Sequence, residues 1–200
     1  MKFALILLVG VAFAQTPTLT LSGPATARPG ATVTVNLSVA ASGSAALQWA
    51  IGLPAGYTAT VADGAAATGK NLTCTANNAF CLLVGQNATV IGNGVVAAYS
   101  LRVPASASGT ATLPLSNLLG ASAVGDPVTI MSAPAYSLQI LAAEDLNGDG
   151  IVTAADVTLM TTQAIASQTT PSACINDLNT DGKCDVLDVF QVVLKSLGLI

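Results

Sequence analysis

The sequence predicts an all-β sandwich over residues 15–141, followed by a small all-α unit over residues 142–200. Three observations predict it. Across the first part, apolar residues alternate with Thr, Ser and Asn at the period of two that turns one strand face inward, and Gly and Pro turns cut the runs short. In the tail, DLNGDGIVTAAD (residues 145–156) and DLNTDGKCDVLD (residues 177–188) share one pattern, and each runs into an apolar segment. Charge divides the chain in the same way. Of ten acidic residues, Glu144 and seven Asp lie between positions 144 and 188, and only Asp63 and Asp126 lie before them.

Residues 1–14 read as a signal peptide. Lys2 gives a positive start, residues 3–13 are apolar, and Ala12-Phe13-Ala14 is a small-x-small cleavage site. The apolar run is too short to span a bilayer. The mature chain is therefore expected to begin at Gln15 and to be secreted. Leu19 and Leu21, then Val33, Val35, Leu37 and Val39, set the alternation. Further strands are expected over 47–53, 57–61, 79–84, 88–91, 95–103, 110–115 and 128–130. Gly23-Pro24, Pro29-Gly30, Pro54-Ala55-Gly56 and Asp63-Gly64 mark turns between them. Many short strands with regular turns imply a β-sandwich. Residues 132–143, with Pro134, read as the link to the tail, and residues 167–172 as the link between its halves. Tail helices are expected from Ala154 to about Ala166 and from Val186 to about Leu197. Val157, Met160 and Ile165 on the first, with Val189, Val192, Val193 and Leu197 on the second, are expected to share a core.

In each twelve-residue stretch, oxygen-bearing side chains stand at positions 1, 3 and 5, Gly at 6 and a carboxylate at 12. That is the spacing of an EF-hand-type calcium loop. Ca²⁺ takes roughly six to eight oxygens at about 2.3–2.6 Å. Alternate residues of a tight loop converge on one centre, and Gly permits the sharp turn. The position-12 carboxylate arrives from the first turn of the following helix. The first loop would offer the side chains of Asp145, Asn147, Asp149 and Asp156, the Ile151 carbonyl, and Thr153 through water at position 9. The second would offer Asp177, Asn179, Asp181 and Asp188, the Lys183 carbonyl, and Asp185 at position 9. Counting position 9, the second loop has the extra carboxylate, so it is expected to bind the tighter of two Ca²⁺.

The tail from about Glu144 to Leu199 resembles a type I dockerin, the duplicated Ca²⁺-binding module that binds cohesin domains. Both loops, Asp rather than Glu at position 12, and the helical run after each loop carry the resemblance. It implies that loop positions 10 and 11 contact the partner. Here those are Ala154 and Ala155 in the first repeat, and Val186 and Leu187 in the second. The repeats do not match, since the first helix continues with polar Thr161 and Thr162 where the second has apolar Val193 and Leu194, so a single binding mode is expected, with the more apolar second face engaged. Core packing of Val186 and Leu187 is the competing expectation.

Cys74, Cys81, Cys174 and Cys184 fall in two close pairs. Four cysteines in an exported chain allow three connectivities. Local pairing, Cys74 with Cys81 and Cys174 with Cys184, is the simplest. There is no His, so neither a Ser-His-Asp nor a Cys-His site can be built, and zinc has no ready ligand set. A glycosidase needs two carboxylates about one bond. Asp63 and Asp126 are the sandwich's only acidic residues, and each adjoins a turn residue. No catalytic residues are assigned. Lys and Arg are too few for nucleic acid.

The sandwich sequence resembles the cohesin and carbohydrate-binding-module type of jelly roll. Arg28-Pro29-Gly30 precedes the strand at 33–39, a long strand follows Gly94, and Ala107-Ser108-Gly109-Thr110 turns into 111–115. Where cohesins carry a stretch resembling Tyr-Asp-Pro, this chain reads Gly52-Leu53-Pro54. The resemblances imply a secreted, non-catalytic adaptor. Its calcium-loaded tail would dock to a cohesin-type domain of another protein, or of a second copy. Family resemblance associates such chains with extracellular polysaccharide degradation. The alternatives are a carbohydrate-binding module with a dockerin tail and a structural cell-surface spacer. Trp49, Tyr57, Tyr99 and Tyr136 are the aromatic candidates for stacking on sugar, with Trp49 also placed in an apolar strand that suits a core.

Overall fold

The computed structural model describes residues 16–40, 43–170 and 174–200. The leader read over 1–14, Gln15, and Pro171 and Ser172 of the second link lie outside the described residues.

The sandwich strands are β1 (Thr18–Ser22), β2 (Thr26–Ala27), β3 (Thr32–Ala40), β4 (Ala46–Ile51), β5 (Thr58–Asp63), β6 (Asn71–Cys74) and β7 (Phe80–Val84). They continue with β8 (Gly94–Arg102), β9 (Gly109–Leu113), β10 (Leu115–Ala121), β11 (Pro127–Val128), β12 (Met131–Ser132) and β13 (Tyr136–Ile140). Two five-stranded sheets have the orders β12-β1-β3-β8-β5 and β11-β10-β4-β7-β6, and a three-stranded sheet has the order β2-β13-β9. The period-two alternation does what it predicts. Along β3, Val35, Leu37 and Val39 are buried while their neighbours are not, and along β4 Leu47, Trp49 and Ile51 point inward. These residues, with Leu19, Leu83 and Leu101, form one core between the sheets. Two apolar sheet faces, mostly Leu, Val and Ile with Trp49 and Tyr99, bury each other and hold the sandwich together.

Four sequence expectations change. No strand forms over 88–91. There the Asn87 side chain accepts from Thr89 N at 3.1 Å and from Lys70 Nζ at 2.8 Å. This Asx turn bends the chain out of strand geometry, and Ile91 is still buried, pinned by its N–H to the Ser44 carbonyl at 2.8 Å. The expected strand 110–115 is two strands, because Pro114 has no N–H for a ladder. The chain changes sheets at that point, and the Pro114 carbonyl accepts from Gly52 N at 2.8 Å. The link expected over 132–143 contains β13, which pairs with β9 from Tyr136↔Leu113 to Ile140↔Gly109. Finally, the strand expected over 128–130 is two two-residue strands, β11 beside β10 and β12 beside β1, because the chain crosses there from one five-stranded sheet to the other. β6, a four-residue strand too short to give a period, adds to the expected strands and pairs with β7 through Cys74↔Cys81.

The tail helices are α1 (Ala154–Ser167) and α2 (Val186–Ser196). Met160, Val192 and Cys184 form their core, with Val157 and Val189 against it. Ile165 and Leu197, expected inside, are exposed at 64% and 66%. Ile165 lies off the short contact stripe, where Ala164 is buried in its place, and Leu197 lies beyond the end of α2. Both disulfides join the local pairs, Cys74–Cys81 and Cys174–Cys184. The first crosses a β-hairpin and the second ties loop residue Cys184 to the chain entering that loop.

Candidate metal centre

Each twelve-residue loop is built by its own side chains. In the first, Asp145 accepts from Gly148 N at 2.8 Å and from Gly150 N at 2.9 Å. Asn147 accepts from Asp149 N at 3.0 Å, and Asp149 from Ile151 N at 3.0 Å. These nested Asx turns fold the backbone around the side-chain oxygens. The second loop repeats them. Asp177 accepts from Gly182 N at 2.7 Å, Asn179 from Asp181 N at 3.0 Å, and Asp181 from Lys183 N at 2.9 Å. Gly150 and Gly182 have φ of +95° and +88°, a backbone region residues with a Cβ resist. Position 4 is left-handed in both loops too, but it is Gly148 at +77° in one and Thr180 at +60° in the other.

The last residue of each loop folds back over it. Asp156 Oδ1 accepts from Leu146 N at 2.8 Å and Asn147 N at 3.1 Å, and its Oδ2 from Thr153 N at 2.8 Å. Asp188 accepts equivalently from Leu178 N, Asn179 N and Asp185 N at 2.9, 3.3 and 2.9 Å. Both carboxylates are fully buried. Burial pushes the Asp156 carboxyl up, but the N–H bonds from Thr153, Asn147 and Leu146 outweigh it and hold the group below the usual carboxylate range. The position-9 residues serve as helix N-caps. Thr153 accepts from Ala155 N at 3.2 Å and Asp185 from Leu187 N at 2.8 Å, each closing a capping box with the position-12 Asp. One Asp185 oxygen is thus committed to α2, which reduces the advantage expected for the second loop.

Among the described residues, no three His, Cys, Asp or Glu side chains converge into a metal-holding cluster by themselves. The loop carboxylates are turned to backbone N–H groups instead. The donor set nevertheless fits a hard cation. It is all oxygen, drawn from carboxylate, Asn amide and backbone, and the same Asx turns and fold-back carboxylate occur twice. Asn147 Nδ2 and Asn179 Nδ2 donate to Asp149 and Asp181 at 2.9 and 3.1 Å, which draws positions 3 and 5 together in each loop.

The expected partner residues Ala154, Ala155, Val186 and Leu187 are all exposed. Val186 at 73% and Leu187 at 56% are not core, and Phe190, one helical turn on, extends the apolar surface. Sequence reasoning missed Phe190, although its place four residues after Val186 puts it on the same helix face. The aromatic candidates in the sandwich divide. Trp49 and Tyr99 are buried, with Trp49 Nε1 donating to the Tyr99 hydroxyl at 2.7 Å, so neither offers a face to sugar. Tyr57 and Tyr136 are half-buried, and the Tyr136 hydroxyl donates to the Pro24 carbonyl. No helix among the described residues is long and apolar enough to cross a membrane.

Comparison with known proteins agrees with this geometry. No curated protein sequence matches the chain. In structure, a non-cellulosomal cohesin from the hyperthermophilic archaeon Archaeoglobus fulgidus is similar over 66% of this chain and 96% of its own, with a TM-score of 0.54 at 14% identity. A type II cohesin domain from the cellulosome of Acetivibrio cellulolyticus is similar over 62% of this chain and 95% of its own, with a TM-score of 0.51 at 12% identity. Residues 143–195 match the dockerin type I domain family, and the part of the chain ahead of them is a β-sandwich with the cohesin fold.

Proposed function

We propose that this chain is a secreted, non-catalytic adaptor whose tail binds two Ca²⁺ and then docks to a cohesin-type domain, of another protein or of a second copy. Residues 15–141 are its sandwich domain and 142–200 its dockerin domain. The first Ca²⁺ is held by Asp145, Asn147, Asp149, Asp156 and the Ile151 carbonyl, with Thr153 bridging through water. The second is held by Asp177, Asn179, Asp181, Asp188 and the Lys183 carbonyl, with Asp185 at position 9. The observation that carries this reading is the duplicated loop, whose Asx turns and fold-back Asp recur at a spacing of 32 residues, from Asp145 to Asp177, inside the stretch that matches the dockerin family.

Bound Ca²⁺ supplies charge neutralisation and a fixed centre for the loop oxygens. The chain's own residues do the rest. The Asx turns hold the ligands, Asp156 and Asp188 join each loop to its helix, and the Cys174–Cys184 bridge restrains the second loop. The chain then presents Val186, Leu187 and Phe190 on one exposed face. The association with polysaccharide-degrading assemblies rests on family resemblance. Isothermal titration tests the metal. We expect two Ca²⁺ per chain, one lost in Asp149→Ala and the other in Asp181→Ala, and a stoichiometry of one or zero for the unmutated chain refutes the assignment. A pull-down with the full chain against cohesin-type domains, with and without EGTA, tests the partner: calcium-dependent capture is expected.

A further inference from the structure

The two loops are alike inside and unlike outside. The first is pressed against the sandwich and the second stands free of it. A Cβ on Gly150 would meet Gln139 Nε2 of β13 at 3.2 Å, whereas a Cβ on Gly182 would meet nothing within 4 Å. Asp145 is 1% exposed, while its counterpart Asp177 is only partly buried. The backbone leading into the first loop is tied down throughout. β13 pairs in parallel with β2 through Gln139↔Thr26 and Ile140↔Ala27, and Leu141 N donates to the Ala27 carbonyl at 2.8 Å.

Arg28, the next residue after β2, continues this attachment into the tail. Its Nη1 donates to the carbonyls of Ala142 at 3.3 Å and Ala143 at 3.1 Å, and its Nη2 donates to the carbonyl of Asp145. One guanidinium therefore holds three carbonyls within four residues, those of Ala142, Ala143 and Asp145, the last belonging to the residue at position 1 of the first loop. A planar, permanently charged fork suits this work where a Lys ammonium does not.

We infer that Arg28 is a positioning residue for the first cation loop and couples its occupancy to the docking of the tail on the sandwich. This rests on the calcium reading above. The Asp145 carbonyl meets Arg28 in the same conformation that turns its carboxylate onto Gly148 N and Gly150 N. Ordering the loop around a cation fixes that conformation, and holding the carbonyl fixes it from the other side. Two events that favour one conformation favour each other equally. Among the described residues the second loop shows no such attachment, and it binds independently of the sandwich.

Arg28→Ala, Arg28→Lys and the unmutated full chain are compared in two backgrounds. Asp181→Ala leaves the first loop to be titrated with Ca²⁺ alone, and Asp149→Ala leaves the second. Arg28→Ala is expected to weaken the first loop at least about fivefold, within the usual range of such couplings, and to leave the second unchanged. Arg28→Lys restores little. Small-angle scattering supplies the second reading. The unmutated chain expands when EGTA removes Ca²⁺, and Arg28→Ala is already expanded in Ca²⁺. Equal affinity of the first loop with and without Arg28, tighter binding without it, or the same loss in both loops overturns the coupling while the calcium assignment stands. Absence of Ca²⁺ uptake by the unmutated chain overturns both.

Discussion

Trp49 and Tyr99 form a buried polar pair whose energetics can be worked out from their surroundings. Trp49 is fully enclosed and its indole N–H donates to the Tyr99 hydroxyl at 2.7 Å. That hydroxyl also lies 3.4 Å from Cys81 Sγ. Cys81 is disulfide-bonded, so the sulfur accepts and the hydroxyl donates to it. Trp49→Phe removes roughly 40 Å³ and opens a cavity costing about 1 kcal/mol at roughly 24 cal/mol per Å³. It also strips the hydroxyl of its good donor, for about 1 kcal/mol more. Tyr99→Phe leaves the indole N–H buried without an acceptor, at about 1–3 kcal/mol. The double variant keeps the cavity but orphans neither group. It should therefore be less unstable than the sum of the single variants by at least about 1 kcal/mol. The assay is urea unfolding of the four proteins in calcium, followed by the far-ultraviolet circular dichroism of the sheets, because Trp49 is the chain's one Trp and cannot report on its own loss. Additivity within about 0.5 kcal/mol refutes the pairing as an energetic unit.

Three more outcomes follow from the described geometry. Thr180→Gly relieves a β-branched residue at φ +60° and should stabilise the calcium-loaded tail by up to about 1 kcal/mol, read as a higher melting temperature of the tail's helical signal; an unchanged or lower value rejects the strain. Leu187→Asp and Ala155→Asp are both at exposed positions, so both should keep Ca²⁺-induced helix formation, and only Leu187→Asp should lose binding to a cohesin-type domain; equal losses reject a single binding mode. Alkali should weaken the sandwich through its tyrosines. Burial raises the Tyr99 hydroxyl, with the Trp49 bond pulling partly the other way, and burial raises Tyr57 and Tyr136 as well. The unfolded phenols ionise near about 10, so their contribution is complete below that pH and is lost as pH rises towards the folded values; Tyr99→Phe should show a shallower fall in urea midpoint between about pH 9 and 11, and an identical slope rejects the assignment.

The candidate site was legible in the sequence because the residues proposed to hold the cation are local. Position, spacing and turn chemistry all lie within twelve residues, so DLNGDG and DLNTDG announce their own geometry. Long β strands were legible for the same reason: 33–39 and 95–103 repeat the period often enough to be read. What escaped depends on partners far away in the chain. Residues 136–140 alternate Tyr, Leu and Ile in β13, yet the stretch is short, follows Pro134, and earns its place only by pairing with β9 and β2. Residues 88–91 have the apolar content of a strand, and the Asn87 side chain overrides it. The inward face of α1 was misplaced at Ile165 because a helix that touches one neighbour buries a narrow stripe, and periodicity alone does not say where the neighbour ends. Arg28 could not be found at all from sequence, since its carbonyl partners lie more than a hundred residues away.

The course of β13 also determines how tension crosses the molecule. The strand that completes the sandwich is the one that carries the chain into the tail, so a pull on a docked tail is delivered to Ile140 and runs along the axis of β13. The ladder to β9 covers five residue pairs, and its hydrogen bonds lie across that axis. Load therefore shears the strand, and the bonds share it together instead of parting one at a time from an end. The guanidinium of Arg28 and the pairing with Thr26 and Ala27 stand ahead of and beside that ladder. The junction between the sandwich and the tail is thereby anchored by the interior of the sheet rather than by a loose tether.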